Sequence, residues 1–303
     1  MIDRLMGKIE LLDNPTVVGL DPTYEMIPND IKVEMLERYG KTSRAVAKMI
    51  LQFNKKIIES ISDLVPAVKL QIAMYEQYGI EGLKAYLETI VLAKRKGLIV
   101  IGDIKRGDIA STATAYASHI GGVCIENKHF DLWNEDAVTL NPYLGFDSIE
   151  PFISPCIKYD KGIFILVKTS NPSGKEIQDL IAEESPIYEH VSKLVSKWGE
   201  LAMGGNGYSK IGAVVGATYK EQGLALRKKM PHTFFLVPGY GVQGARGSDL
   251  RGYFDKEGRG CIVNSSRGII AAYLKDHKFG NKFFSEAARE AVLRMKRDLE
   301  GGQ

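Results

Sequence analysis

Eight short runs of apolar and β-branched residues recur along the chain, each separated from the next by a longer segment, and this alternation restricts the fold more than any other feature. The runs are 16–20, 67–70, 98–102, 137–140, 163–167, 211–215, 234–237 and 261–263. Between them, segments such as 43–61, 82–96, 186–203, 220–229 and 266–274 place apolar residues three and four apart, as amphipathic helices do. Strands that are apolar throughout are expected where both faces of a parallel sheet are covered by helices. Eight βα alternations therefore predict an α/β protein, a single (β/α)8 TIM barrel of parallel strands with residues 1–303 as one domain. An open doubly wound sheet would carry a glycine-rich first turn, whereas Asp21-Pro22-Thr23 follows the first run. Two long connections, 22–41 after strand one and 171–210 after strand five, predict extra helical insertions on that domain. A final helix is predicted over 284–299.

In such barrels the active site collects at the C-terminal ends of the strands, so the residues that close each run are the informative ones. Asp21 closes the first, Lys69 interrupts the second, Asp103 and Lys105 follow the third, and Asn141 closes the fourth. Lys168-Thr169-Ser170 closes the fifth, 238–243 (Pro-Gly-Tyr-Gly-Val-Gln) follows the seventh, and Asn264-Ser-Ser-Arg267-Gly268 follows the eighth. Glycines in the 239–244 loop let backbone N–H groups approach an anion, and Arg267 at a helix start adds a guanidinium beside a positive helix end. Those two loops read as a phosphate pocket.

The densest chemistry is the triplet Asp103, Lys105 and Asp108, which hangs on the end of an apolar strand. A strand period of two carries Ile101, Asp103 and Lys105 onto one face, so charge stands where apolar side chains would continue. Carboxylates on either side of an amine favour its ammonium form. The other reading of the triplet is a solvated charge cluster in a loop.

Composition removes several function classes. Lys and Arg total 40 against 37 Asp and Glu, a net charge of +3 with no long basic run, which offers no dedicated nucleic-acid or membrane surface. No stretch approaches the roughly 18 apolar residues of a membrane span, and the N-terminal residues lack a signal-peptide core. Three widely spaced cysteines fit a reducing, cytoplasmic setting. The five histidines show no i, i+4 pairing, so no metal site is expected.

At these residues the chain resembles the longer bacterial branch of the orotidine 5′-phosphate decarboxylases. The resemblance is carried by Asp103-Ile-Lys105-Arg-Gly-Asp108-Ile109 with Thr112 four residues beyond, and by Val18-Gly-Leu-Asp21-Pro22 and Val68-Lys69-Leu70. Asn141-Pro-Tyr-Leu-Gly145, Lys168-Thr-Ser170-Asn-Pro-Ser173, 238–244 and Asn264-Ser-Ser-Arg267-Gly268 extend it over residues 14–275. It implies a lyase of pyrimidine biosynthesis that converts orotidine 5′-phosphate to UMP without metal or organic cofactor. Lys69, Asp103, Lys105 and Asp108 are then the catalytic array, and Asp21 and Lys69 hold the ribose hydroxyls. Ser170, or its neighbour Thr169, reads the pyrimidine edge, and Gln243 and Arg267 grip the phosphate. It also implies a homodimer, with Asp108 and Thr112 contributed across the interface. Three other readings stay open on the residues alone: a Schiff-base aldolase or transaldolase with Lys69 or Lys168 as its amine, a related metal-dependent decarboxylase acting on a sugar phosphate, and a non-catalytic nucleotide-binding protein.

Overall fold

The computed structural model describes residues 1–242, 244–275 and 278–302. Eight parallel strands form a closed barrel: β1 (Thr16–Gly19), β2 (Ala67–Gln71), β3 (Ile99–Arg106), β4 (Ala137–Leu140), β5 (Gly162–Lys168), β6 (Ser209–Val215), β7 (Thr233–Pro238) and β8 (Cys261–Ser265). Their order around the barrel is β1-β8-β7-β6-β5-β4-β3-β2, so each strand lies beside its neighbours in sequence. Parallel pairs such as Val17 with Ala67 and Leu140 with Ile165 set the register. The strands are buried almost end to end, as continuous apolar runs require.

Two compact units divide the chain: Met1–Lys8 with Lys105–Asn264 and Asp298–Gln303, and Ile9–Ile104 with Ser265–Arg297. In the second, Phe53 stacks on Phe284 with ring centroids 4.9 Å apart, and Tyr75 meets Tyr86 edge to face at 5.2 Å. In the first, Tyr208 meets Phe234 in the same way at 5.7 Å. The first two pairs join helix to helix, and the third packs the residue before β6 against β7.

Both expected insertions are helical. After β1 come a 3-10 turn, Tyr24–Met26, and the helix Asn29–Tyr39. After β5 come a short helix, Lys175–Gln178, a two-residue-per-strand hairpin, Ile181–Ala182 with Ser185–Pro186, and the helix Ile187–Gly199. The helices Ser43–Ile61 and Lys220–Lys229 match their periodic segments. The third strand runs four residues past its apolar segment, through Asp103 and Lys105 to Arg106, and Asp108 lies beyond its end. The expected helix over 266–274 is instead a four-residue helix, Arg267–Ile270, and a 3-10 turn, Ala272–Leu274. Gly268 and two adjacent isoleucines explain the weakness, being poor helix formers.

No described helix is long and apolar enough to cross a membrane. Cys156 and Cys261 are buried and Cys124 is exposed, with no disulfide among them. Burial pushes the Cys156 thiol up to about 12 and raises Cys261 as well, which keeps both as inert thiols. The native protein should therefore react with one equivalent of a thiol reagent such as DTNB and with three after denaturation. Rapid reaction of all three in the native state would contradict this burial.

Candidate active site

The second unit assembles an ionic cluster at the ends of β1, β2 and β3. Lys69 Nζ lies 2.8 Å from Asp103 Oδ2 and 3.6 Å from Asp21 Oδ2, and all three side chains are largely buried. Burial alone would pull the Lys69 pKa down, but the Asp103 and Asp21 carboxylates outweigh it and hold the ammonium above the ordinary lysine value. Gln71 donates from Nε2 to Asp103 Oδ2 at 3.1 Å and from its backbone N–H to Asp21 Oδ1 at 2.8 Å. The Ser266 hydroxyl donates to Asp21 Oδ2 at 2.7 Å. Gly19 makes room for that contact, since a Cβ there would stand 1.8 Å from Ser266 Oγ. One step before Asp21, the Leu20 carbonyl accepts the Tyr75 hydroxyl at 2.8 Å, which fixes the exit of β1.

Lys105, the next charged residue of β3, belongs to the first unit. Lys105 is exposed and has φ +45°, a left-handed conformation that side chains disfavour. Regular alternation along the strand thus holds only through Ile104, and the period-two argument that put Asp103 and Lys105 on one face stops there. The Lys105 N–H donates to Oγ1 of the buried Thr139 on β4 at 3.0 Å, which anchors the turn. Asp108 is half-buried, and its Oδ1 accepts the Ile109 N–H at 2.8 Å. Ala110 is left-handed too, at φ +50°. Among the described residues, the other non-glycine residues with positive φ are Asp or Asn, or sit in tight hairpin turns at 126–127 and 183–184, where this conformation belongs. Lys105 and Ala110 have neither reason, so backbone strain brackets Asp108. Thr112 is exposed on the helix Ala110–Gly121.

Ser170 is half-buried just beyond β5. Its carbonyl accepts the Thr218 hydroxyl at 3.1 Å. After β7, Gly239, Gly241 and Gly244 all adopt positive φ, a backbone only glycine enters freely. Gln243, expected to grip phosphate from this loop, lies outside the described residues. Arg267 is exposed at the first position of its short helix. Among the described residues no group of three or more His, Cys, Asp or Glu is arranged to hold a metal ion.

The sequence profile of the Orotidine 5′-phosphate decarboxylase / HUMPS family matches residues 15–278. The chain belongs to this family. The orotidine 5′-phosphate decarboxylase of Petrotoga mobilis is 44% identical over 303 residues, covering 99% of this chain and 98% of the relative. That of Rhodopirellula baltica is 43% identical over 289 residues, 94% of each chain. The solved structure of Leishmania donovani OMP decarboxylase shares 29% identity with a TM-score of 0.71, covering 99% of this chain and 98% of that one. Of the residues singled out from sequence, Asp21, Lys69 and Asp103 meet in one bonded cluster. Two of its members, Gln71 and Ser266, were not expected. Gln71 was accessible to reasoning, because it follows Lys69 at the strand period. Ser266 lay inside the loop attributed to phosphate, with nothing local to separate the two roles.

Proposed function

We propose that this chain decarboxylates orotidine 5′-phosphate to UMP in de novo pyrimidine biosynthesis, without metal or organic cofactor. The observation that carries the reading is the buried Asp21–Lys69–Asp103 cluster ending two residues before Lys105 on the same strand, in a chain of this family. Loss of CO₂ breaks the bond between C6 and the carboxylate and leaves the electron pair on C6, in an orbital that the pyrimidine ring cannot delocalise. A fixed cation beside that carbon stabilises the developing charge, which is where electrostatic catalysis is strongest. Lys105 is that cation and then transfers an N–H proton to C6. Solvent returns a proton to the amine.

Asp21 and Lys69 hold the ribose hydroxyls, Ser170 reads the pyrimidine edge, and Gln243 and Arg267 take the phosphate. Asp103 stands near the departing carboxylate, and Lys69 keeps it ionised and oriented. In a homodimer, Asp108 and Thr112 reach the neighbouring subunit's site. Half-exposed Ile109, next to Asp108, and half-exposed Leu144 and exposed Tyr143 on the loop after β4 supply apolar area, which suits a contact between copies. The setting is cytoplasmic.

The Schiff-base alternative needs a neutral amine. Lys69 is held as an ammonium by two carboxylates. Lys168 is fully buried and ion-paired with Asp179 at 2.5 Å. Neither offers a free nucleophile.

The direct test is the loss of orotate absorbance when orotidine 5′-phosphate is added to EDTA-treated protein. Turnover undiminished by EDTA is expected. Binding of UMP without consumption of orotidine 5′-phosphate would reduce the chain to a nucleotide-binding protein, and loss of turnover with EDTA would point to a metal-dependent sugar-phosphate enzyme.

A further inference from the structure

We infer that Gln178 and Asp179, on the insertion after β5, are positioning residues that hold the base-reading end of that strand, and so contribute to recognition of the pyrimidine. The inference rests on the reading of Ser170 as the residue that faces the pyrimidine edge.

The argument starts from Lys168, the last residue of β5, whose side chain is completely buried. A buried ammonium is costly unless it is paired and surrounded by compensating groups. The insertion supplies both. Asp179 Oδ1 stands 2.5 Å from Lys168 Nζ. The rings of Tyr219 and Tyr188 lie 4.6 and 5.3 Å from the same nitrogen, close enough for cation–π attraction. Tyr188 belongs to the helix Ile187–Gly199 of the same insertion. The 171–210 connection is therefore tied to the strand by a charge that has no other reason to be in the interior.

One residue further on, a second tie fixes the backbone itself. Gln178 Oε1 accepts the Thr169 N–H at 3.0 Å, and Gln178 Nε2 donates to Thr169 Oγ1 at 2.7 Å. The Thr169 hydroxyl in turn donates to Asn171 Oδ1 at 2.7 Å. The N–H and the hydroxyl of Thr169 are thus committed to the insertion, which leaves Ser170 as the better candidate to meet a ligand. The Ser170 backbone is held from the other side as well. Thr218 bonds its carbonyl, and Gly216 approaches so closely that a Cβ there would stand 2.8 Å from the Ser170 nitrogen. A hydroxyl that discriminates between bases has to be placed within a few tenths of an ångström, and this double tie provides that preorganisation. The insertion then serves recognition of the base, whereas the loops after β7 and β8 serve the phosphate.

The test separates the two ends of the nucleotide. Binding of UMP and of ribose 5-phosphate, which lacks the base, is measured by calorimetry on the wild-type chain and on Gln178→Ala, Thr169→Val and the double variant. UMP affinity should fall by about tenfold in Gln178→Ala, which loses both hydrogen bonds, and by less in Thr169→Val, which keeps the bond from its N–H to Gln178 Oε1. Ribose 5-phosphate affinity should change less than twofold. The double variant should be no worse than Gln178→Ala alone, because that substitution already removes both bonds between the two residues. Gln178→Glu, which keeps the acceptor for the Thr169 N–H, should recover most of the loss. Thr169→Val keeps its side-chain shape, so it tests the tie even if Gln178→Ala folds poorly. An unchanged UMP affinity, or an equal loss for both ligands, would overturn the inference. Because binding is measured directly, that outcome is separate from the turnover of orotidine 5′-phosphate by the wild-type chain, on which the proposed reaction stands or falls.

Discussion

Replacing Lys105 by alanine is expected to leave a folded protein that binds UMP nearly as well as the wild type and turns over orotidine 5′-phosphate about 10⁴-fold more slowly or worse. Electrostatic stabilisation of a developing charge and proton donation each contribute on the order of 10²–10⁴ in rate, and a single amine supplies both here. The fold should tolerate the change because Lys105 is exposed and the bond that its backbone N–H makes to Thr139 Oγ1 does not depend on the side chain. Single-turnover kinetics and UMP calorimetry separate the two effects. A variant with near-normal kcat would remove Lys105 from the chemistry.

Lys69→Met should damage stability as well as activity. The substitution keeps length and apolar volume but leaves Asp103 and Asp21, both largely buried, facing one another without the cation between them. Breaking a buried pair from one side costs about 3–5 kcal/mol, which lowers the melting temperature by on the order of 10 °C in a chain of this size. The pH dependence gives the cause away. In the wild type the folded-state pKa of Lys69 lies above its unfolded value. Its contribution is therefore complete below an unfolded pKa of about 10.4 and is lost only as pH rises towards the higher folded value. Between pH 5 and 8 that contribution is flat. In the variant, the crowded carboxylates bind a proton more readily than in the unfolded chain, so stability should fall as pH rises through this range. Thermal melts at pH 5 and pH 8 check the sign, and a variant as stable as the wild type at both would mean that the pair contributes nothing to the fold.

The barrel was legible because its strands are apolar on both faces and its helices are amphipathic, two patterns with different periods. The strand ends were legible for a related reason: Asp21, Lys69 and Asp103 interrupt apolar runs where burial would otherwise continue, and a charge in that place needs a partner. What stayed hidden depends on contacts without a period. Gln178 and Asp179 meet Thr169 and Lys168 across an irregular turn, and no local spacing announces that pairing. The two small hairpins turn on Glu126-Asn127 and Glu183-Glu184 in place of the Asn-Gly or Asp-Gly that marks such turns in a sequence. The helix Glu150–Lys158 carries Pro155 in its interior, which reads as a stop when only propensity is considered. The left-handed backbone at Lys105 is the most consequential of these, since alternation along a strand presumes extended residues throughout.

That conformation sets two demands against each other at one position. Glycine would occupy it freely, whereas a residue with a side chain gives up about 1–2 kcal/mol of fold stability. If durability alone decided the residue, drift would carry it to glycine. A long amine kept there instead marks a site at which the protein's persistence and its usefulness are in opposition.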